Sequence, residues 1–324
     1  MPDDTQYVLI IGSSNMDLNI YSQRFPNPGE TVTGGVFRQF LGGKGANQAV
    51  AAVRSGAKTV FIGKIGTDLF GDQMISQLTD EGINMDFVIR DPQNPSGIAF
   101  ILIDENGENM ISVAPGANSK LNTKEIYNRK DLIKNANTII VQMEIPIDVI
   151  REIFTIASKG NVIKILNPAP LRPIPVDVLK MVDVIIPNEG ELYRLHSLLG
   201  FKESNKEGKQ KIIQAARDIS NLGISYIITT LGSKGCLIFD AKEDKSFEIF
   251  APKVKAVDTV GAGDCFIGVL ASMLSQDKNI LNAVKIATIA ASIAVTRKGA
   301  QESIPYSEEI QKVLNDLNFY ENKL

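Results

Sequence analysis

Tyr7-Val8-Leu9-Ile10-Ile11-Gly12 decides the fold class. The run is apolar without a break, rich in β-branched residues, and closes on Gly12-Ser13-Ser14. A strand with one wet face alternates polar and apolar residues. A strand apolar throughout is covered on both faces, as in the middle of a parallel sheet flanked by helices. Similar runs recur at 59–66, 138–143, 162–166, 184–186 and 226–230. Between them lie helical patterns: one after Gly45 that stops at Gly56, one capped by Asp68 and ended by Gly82, and others at 146–158, from Asn188, and at 209–221. Strands alternating with helices predict a doubly wound parallel α/β sheet. Two segments break this rhythm. One is 31–41; the other is a hairpin, 97–104 and 109–114 around Glu105-Asn106-Gly107-Glu108. Together they suggest a small separate sheet, a candidate lid.

Composition bounds the function. A chain of 324 residues, 44% hydrophobic and 22% charged, can bury a large core as one α/β domain or two average ones. A net charge of −3 supplies no field for nucleic acid or an anionic membrane. The acidic start Met1-Pro2-Asp3-Asp4 leads to no signal peptide, and the apolar stretch 280–295 is too short and too interrupted to span a bilayer. Cys236 and Cys265, with no CxxC spacing, read as reduced thiols of a cytoplasmic protein. His196 is the only histidine and lies in a helical stretch, where a satisfied or solvated ring is expected. Proton transfer therefore falls to a carboxylate or a lysine.

In open α/β sheets ligands bind at the carboxyl ends of strands. Asn15-Met16-Asp17 follows the first strand at that edge. Asn15 and Asp17, two apart on extended backbone, can grip paired hydroxyls, or can form an Asx-rich turn. Leu41-Gly42-Gly43-Lys44-Gly45-Ala46-Asn47-Gln48 is not a Walker loop, because Gly45 follows Lys44 where Ser or Thr belongs. Its glycines still let a ligand approach the backbone, with Lys44 and Asn47 as donors. Asn188-Glu189-Gly190-Glu191 fits a capping box as well as it fits two side chains near a hydrated Mg²⁺. Thr230-Leu231-Gly232-Ser233-Lys234-Gly235 is a turn into the next strand or a nucleotide cradle.

Late in the chain, Val257-Asp258-Thr259-Val260-Gly261-Ala262-Gly263-Asp264 ends an extended run (247–257) and opens a helical one (265–274). Two glycines flanking Ala262 allow a tight turn whose N–H groups converge at a helix start, where the dipole favours an anion. Asp264 places a carboxylate within reach of that anion. A base beside an anion cradle suits phosphoryl transfer to an alcohol. An ordinary glycine-containing helix start reads the same way. A dinucleotide fingerprint fits poorly, since the next glycine, Gly268, comes late.

Taken in order, these stretches resemble the ribokinase family of sugar kinases. Gly12–Asp17, Pro28-Gly29-Glu30-Thr31-Val32, Gly42–Gln48, Asn167-Pro168-Ala169-Pro170, Pro187-Asn188-Glu189, Asp258–Asp264 and Val295–Gln301 carry the likeness across nearly the whole chain. The resemblance implies one kinase domain over 1–324. Its fold would be a Rossmann-like three-layer αβα core, with a β lid from about 17–41 and 97–114 that also pairs two chains. It implies ATP-dependent phosphorylation of D-ribose at the 5-hydroxyl. Alternatives are a kinase for 2-deoxyribose or another small furanose or nucleoside, or an inactive sugar-binding regulator on the same fold. The implied sugar contacts are Asn15, Met16, Asp17, Gly43, Lys44, Gly45, Ala46, Asn47 and Glu144. Asp264 is the implied base, with Gly261, Ala262 and Gly263 as its anion hole. ATP would meet Asn188, Thr230 to Gly235, Gly263, Asp264 and Thr288, with Glu191 near Mg²⁺ through water. A K⁺ ion is implied at Asp258, Ser303 and the carbonyls of Val260, Ala294, Arg297 and Gly299. Glycine-containing segments at a helix end, rich in unpaired carbonyls, suit such a hard cation.

Overall fold

Val8–Ile11 forms strand β1, and none of its side chains reaches solvent. The computed structural model describes residues 6–321, so Met1-Pro2-Asp3-Asp4 lies outside them. Leu9 and Ile11 enter one core with Val141, Leu166 and Phe154. Val8 and Ile10 enter a second, on the opposite face, with Ala49, Val50, Cys265 and Val269. The unbroken apolar run is thus explained by helices on both sides of the sheet.

The chain continues through β2 (Asn15–Tyr21), β3 (Val36–Gly42), α1 (Lys44–Arg54), β4 (Thr59–Ile62), β5 (Lys64–Gly66) and α2 (Leu69–Asp80). Next come β6 (Ile89–Asp91), β7 (Gly97–Ile103), β8 (Asn109–Ala114), α3 (Thr123–Tyr127) and α4 (Lys130–Asn135). Regular alternation follows: β9 (Thr138–Gln142), α5 (Ile147–Ala157), β10 (Ile163–Asn167), α6 (Val176–Leu179), β11 (Val184–Ile185), α7 (Glu189–Leu198), α8 (Gly208–Ser220) and β12 (Tyr226–Thr230). The chain closes with β13 (Cys236–Asp240), β14 (Lys245–Ile249), α9 (Ala262–Ser275), α10 (Ile280–Ala294) and α11 (Ser307–Glu321).

The main sheet runs β14-β13-β12-β11-β10-β9-β1-β4. From β1 the chain goes to β4 on one side and later returns to β9 on the other, so the winding reverses between β1 and β9. That reversal opens a crevice at the carboxyl ends of the two strands, the usual ligand position in such sheets. The second sheet, β3-β2-β7-β8, stands apart from it. It rests on α2 through Met16, Leu18, Leu41, Ile65 and Met74. Tyr21, Val36, Phe37, Phe100, Met110, Ile111 and Val113 remain exposed on it.

Four expectations change. The sheet is mixed, because β13 and β14 run antiparallel to the strands beside them. The 59–66 run is two strands in two sheets. It breaks at Gly63, where a Cβ would press on the Phe61 ring and on Gly12 O. Only 36–42 of the 31–41 segment (with Gly42 added) is strand, because Pro26, Pro28 and the positive-φ glycines Gly29 and Gly34 precede it. The extended run 247–257 ends as a strand at Ile249, ahead of Pro252.

Candidate functional site

The carboxyl end of β1 meets the start of α1. Gly43 adopts φ +88°, and a Cβ there would lie 2.7 Å from Asn15 N. At Gly45 a Cβ would lie 2.7 Å from both Ser13 N and Ser13 O. The glycines let α1 seat its first turn on the loop after β1. Gly45 N–H then donates to Ser13 Oγ at 3.4 Å, Lys44 N–H donates to Glu144 Oε2 at 3.2 Å, and the Ser13 hydroxyl donates to the same carboxylate. Glu144, just past β9, thereby bridges the two strands between which the winding reverses.

Asn15 and Asp17 fall on one face of β2 and Met16 on the other, as strand alternation requires. Asn118 Nδ2 holds Asn15 Oδ1 at 2.9 Å and also ties to Ser14 O. Asp17 sits against Gly42, whose missing Cβ makes room for its carboxylate. Met16 is buried in the cluster beneath the small sheet, and Ala46 is buried in the main core. Neither presents a side chain to a ligand. Their backbone is what they have to offer a sugar.

Asp264 lies in the first turn of α9 and is buried. Gly261, in left-handed conformation at φ 74°, caps the helix without a side-chain capping hydrogen bond. Nothing stands within 4 Å of where a Gly263 Cβ would project, so the turn faces open space. Asn47 Nδ2 donates to Asp264 Oδ2 at 3.0 Å and Gln48 Nε2 to Oδ1 at 2.8 Å. Gln301 Nε2 donates to Asn47 Oδ1 at 3.1 Å, and Gln142 Nε2 to Gln48 Oε1 at 2.7 Å. Gln48, Gln142, Gln301 and Asn118 were not among the expected site residues. Gln48 and Gln301 lay inside the quoted motifs, which was the available signal.

At the other end of the crevice, Asn188 and Thr230 pair as an isolated bridge between the strand ends of β11 and β12. Asn188 and Glu191 form a reciprocal capping box on α7, at 2.8 and 2.9 Å. The capping geometry is therefore real, and it leaves Glu191 close enough to Lys44 and Asp264 to feel their charges. Leu231 to Gly235 makes a short 3₁₀ turn (Gly232–Lys234) into antiparallel β13. A Cβ on Gly235 would lie 2.7 Å from Ala251 N. Thr288 is buried in α10, with its hydroxyl donated to Val284 O at 2.8 Å and facing Cys236 Sγ.

The segments around Asp258 and Gly299 lie side by side. Asp258 accepts Val260 N–H and Gly299 N–H, both at 3.0 Å, while Val295 O accepts the N–H groups of Val257 and Asp258. The Arg297 guanidinium turns away to Glu309, and the Ser303 hydroxyl donates to Ala300 O at 2.8 Å. Ala294 and Ser303 are buried, and the Ala294 carbonyl accepts the Arg297 N–H at 3.0 Å.

Charge is concentrated in the crevice. Burial, then the Glu144, Glu302 and Asp264 carboxylates, push Asp17 up to about 7. Lys44 is held more firmly protonated by Asp264 and Glu144. Burial raises Glu191 above the ordinary carboxylate range. His196, by contrast, lies away from this crevice. It is buried in α7, and its ring hydrogen-bonds Asp218 at 2.8 Å.

Comparison with known proteins gives the following. The model of the pfkB family of carbohydrate kinases matches residues 5–306. The chain is 38% identical to the ribokinase of Staphylococcus aureus over 95% of its own length and all of the relative's. It is 35% identical to the deoxyribokinase of Salmonella typhimurium, covering 95% of this chain and 98% of that one. Its fold superposes on the Arabidopsis thaliana ribokinase solved with ribose and ATP at a TM-score of 0.87. There the identity is 30%, covering 95% of this chain and 98% of that one. No described helix is long and apolar enough to cross a membrane.

Proposed function

This chain belongs to the pfkB family of carbohydrate kinases, and from that premise we propose that it transfers the γ-phosphate of ATP to the 5-hydroxyl of D-ribose. The products are D-ribose 5-phosphate and ADP. One observation carries the reading: Asp264 lies in the first turn of α9, gripped by Asn47 and Gln48 from α1, the helix that also carries Lys44. The same turn thus joins the sugar side of the crevice to an anion-binding helix start.

Asp264 accepts the proton of the 5-hydroxyl. The oxygen forms its bond to the γ-phosphorus as the bond to the β–γ bridging oxygen breaks, and ADP leaves. Because an alcohol is far less acidic than a carboxylic acid, the proton moves late. The amides of Gly261, Ala262 and Gly263 stabilise the charge on the transferring group, and Lys44 meets the sugar. Asn15, Asp17, Gly43, Asn47 and Glu144 orient the sugar, and Asn188 with Thr230 to Gly235 faces the nucleotide. When bound, Mg²⁺ neutralises phosphate charge, and Glu191 suits it through water because burial and Asn188 hold the carboxyl beside Lys44 and Asp264. A K⁺ ion suits the wall where Asp258 ties two carbonyl-rich segments together. Residues of that wall fix the turn that carries the amides.

The β3-β2-β7-β8 sheet acts as a lid and pairs two chains, which its exposed apolar side chains support. ATP chemistry and two unpaired thiols support a cytoplasmic site of action. The 35% likeness to a deoxyribokinase keeps 2-deoxyribose as the second acceptor. A coupled ADP-release assay across pentoses, hexoses and nucleosides decides between them. D-Ribose should give the highest kcat/KM, because a site built to bond the 2-hydroxyl penalises its absence. A higher value for 2-deoxyribose would reassign the acceptor.

A further inference from the structure

We infer that Gln142 and Gln48 are positioning residues for the Asp264 carboxylate, a relay of side-chain amides that fixes which way the base faces. This rests on Asp264 acting as the base. The Gln142 amide, at the last position of β9, donates to Gln48 Oε1 at 2.7 Å. With its carbonyl so engaged, Gln48 turns its NH₂ group outward. That group donates to Asp264 Oδ1 at 2.8 Å and to Asn167 Oδ1 at 3.3 Å. Flipping Gln48 would set its carbonyl against two acceptors, Asp264 and Asn167. Gln142 therefore reinforces the one orientation of Gln48 that Asp264 and Asn167 accept, and Gln48 in turn holds Asp264 Oδ1.

A second observation shows that the arrangement has a cost. Gln142 Oε1 is buried with no hydrogen-bond partner. It occupies a slot over Gly12 that no residue with a Cβ would leave open. A methionine or leucine would fill that space with no orphaned carbonyl, so packing alone does not ask for an amide here. Local rules broken at a strand end facing a site point to function. Asn47 secures the other carboxylate oxygen and is itself oriented by Gln301. Each oxygen is thus held by an amide that a further amide has aligned. Lys44, Asp17, Glu191 and Cys265 are the other titratable groups coupled to this carboxylate by charge.

The test is Gln142→Met, with Gln48→Met as the companion variant, measured in the full-length enzyme with ribose and ATP. We expect kcat to fall roughly five- to thirty-fold while the ribose KM stays within about two-fold. We also expect Tm in the Gln142 variant to be unchanged or higher, because the orphaned carbonyl is gone. In an Asp264→Asn background Gln142→Met should add nothing. Wild-type kcat in both variants would overturn the inference. So would a fall in Tm with unchanged kcat per folded molecule, or failure of both variants to fold, either of which would make the pair ordinary core. If Asp264→Asn itself kept near-normal turnover, the base assignment would fail instead.

Discussion

Replacing Asp17 by Asn should stabilise the protein and cripple its use of sugar, with the stability gain growing as pH rises. Asp17 titrates at about 7 in the folded chain against an ordinary value of 3.8. Between those values the folded state keeps a proton that the unfolded chain has released, so stability falls as pH rises through the window. The full cost is reached above pH 7. Each pH unit of difference is worth about 1.4 kcal/mol, so the charge costs up to about 4 kcal/mol at pH 8 and roughly 1.5 at pH 5. An unfolding entropy of about 2 cal/mol/K per residue converts these into Tm gains of roughly 6 °C and 2 °C for Asp17→Asn. The ribose KM should meanwhile rise about 10- to 100-fold, the loss of hydrogen bonds to a charged acceptor. Thermal unfolding at pH 5 and pH 8, beside steady-state kinetics, measures both. Equal Tm shifts at the two pH values, or a less stable variant at pH 8, would refute the reasoning from buried charge.

Three further outcomes are expected. Asp264→Asn should lower turnover by about 10²–10⁴ while ribose affinity stays within a few-fold, read by steady-state kinetics and calorimetry. K⁺ should raise activity several-fold over Na⁺ or a bulky organic cation at equal ionic strength, with Mg²⁺ and ATP saturating. Asp258→Asn, which removes the acceptor of Val260 N–H and Gly299 N–H, should blunt that response. Sedimentation at micromolar concentration should give a dimer, and Ile111→Glu on the exposed β8 should shift it toward monomer.

The alternating βα core was legible because burial on both faces leaves a strong mark on a sequence. Val8 to Ile11 need no context to be read. Antiparallel β13 and β14 were not legible, since strand direction depends on the Leu231–Gly235 turn rather than on residue pattern. The break at Gly63 was hidden for a similar reason: the apolar run continues through it, and only the nearness of Gly12 O shows that the chain must leave one sheet for another. Boundaries in the small sheet shifted where proline and glycine outweighed alternation, as across Pro26 to Gly34.

The site divides along a different line. Glycines and Asp264 announce themselves because a tight turn at a helix start admits few residue types. The amides that orient Asp264 do not. Gln48 is 216 residues from Asp264 and 94 from Gln142, and Gln301 is 254 from Asn47. Glutamine at a helix surface or a strand end is ordinary in sequence, and only the fold reveals that it is buried and committed. Met16 and Ala46 ride inside motifs whose neighbours face the crevice, yet alternation along β2 and the core side of α1 turn both away. A motif therefore marks a backbone path, and the side chains along it divide between ligand and core by periodicity. The Met16 and Ala46 side chains fall to the core, Asn47 and Gln48 donate to Asp264, and Asp17 sits against Gly42.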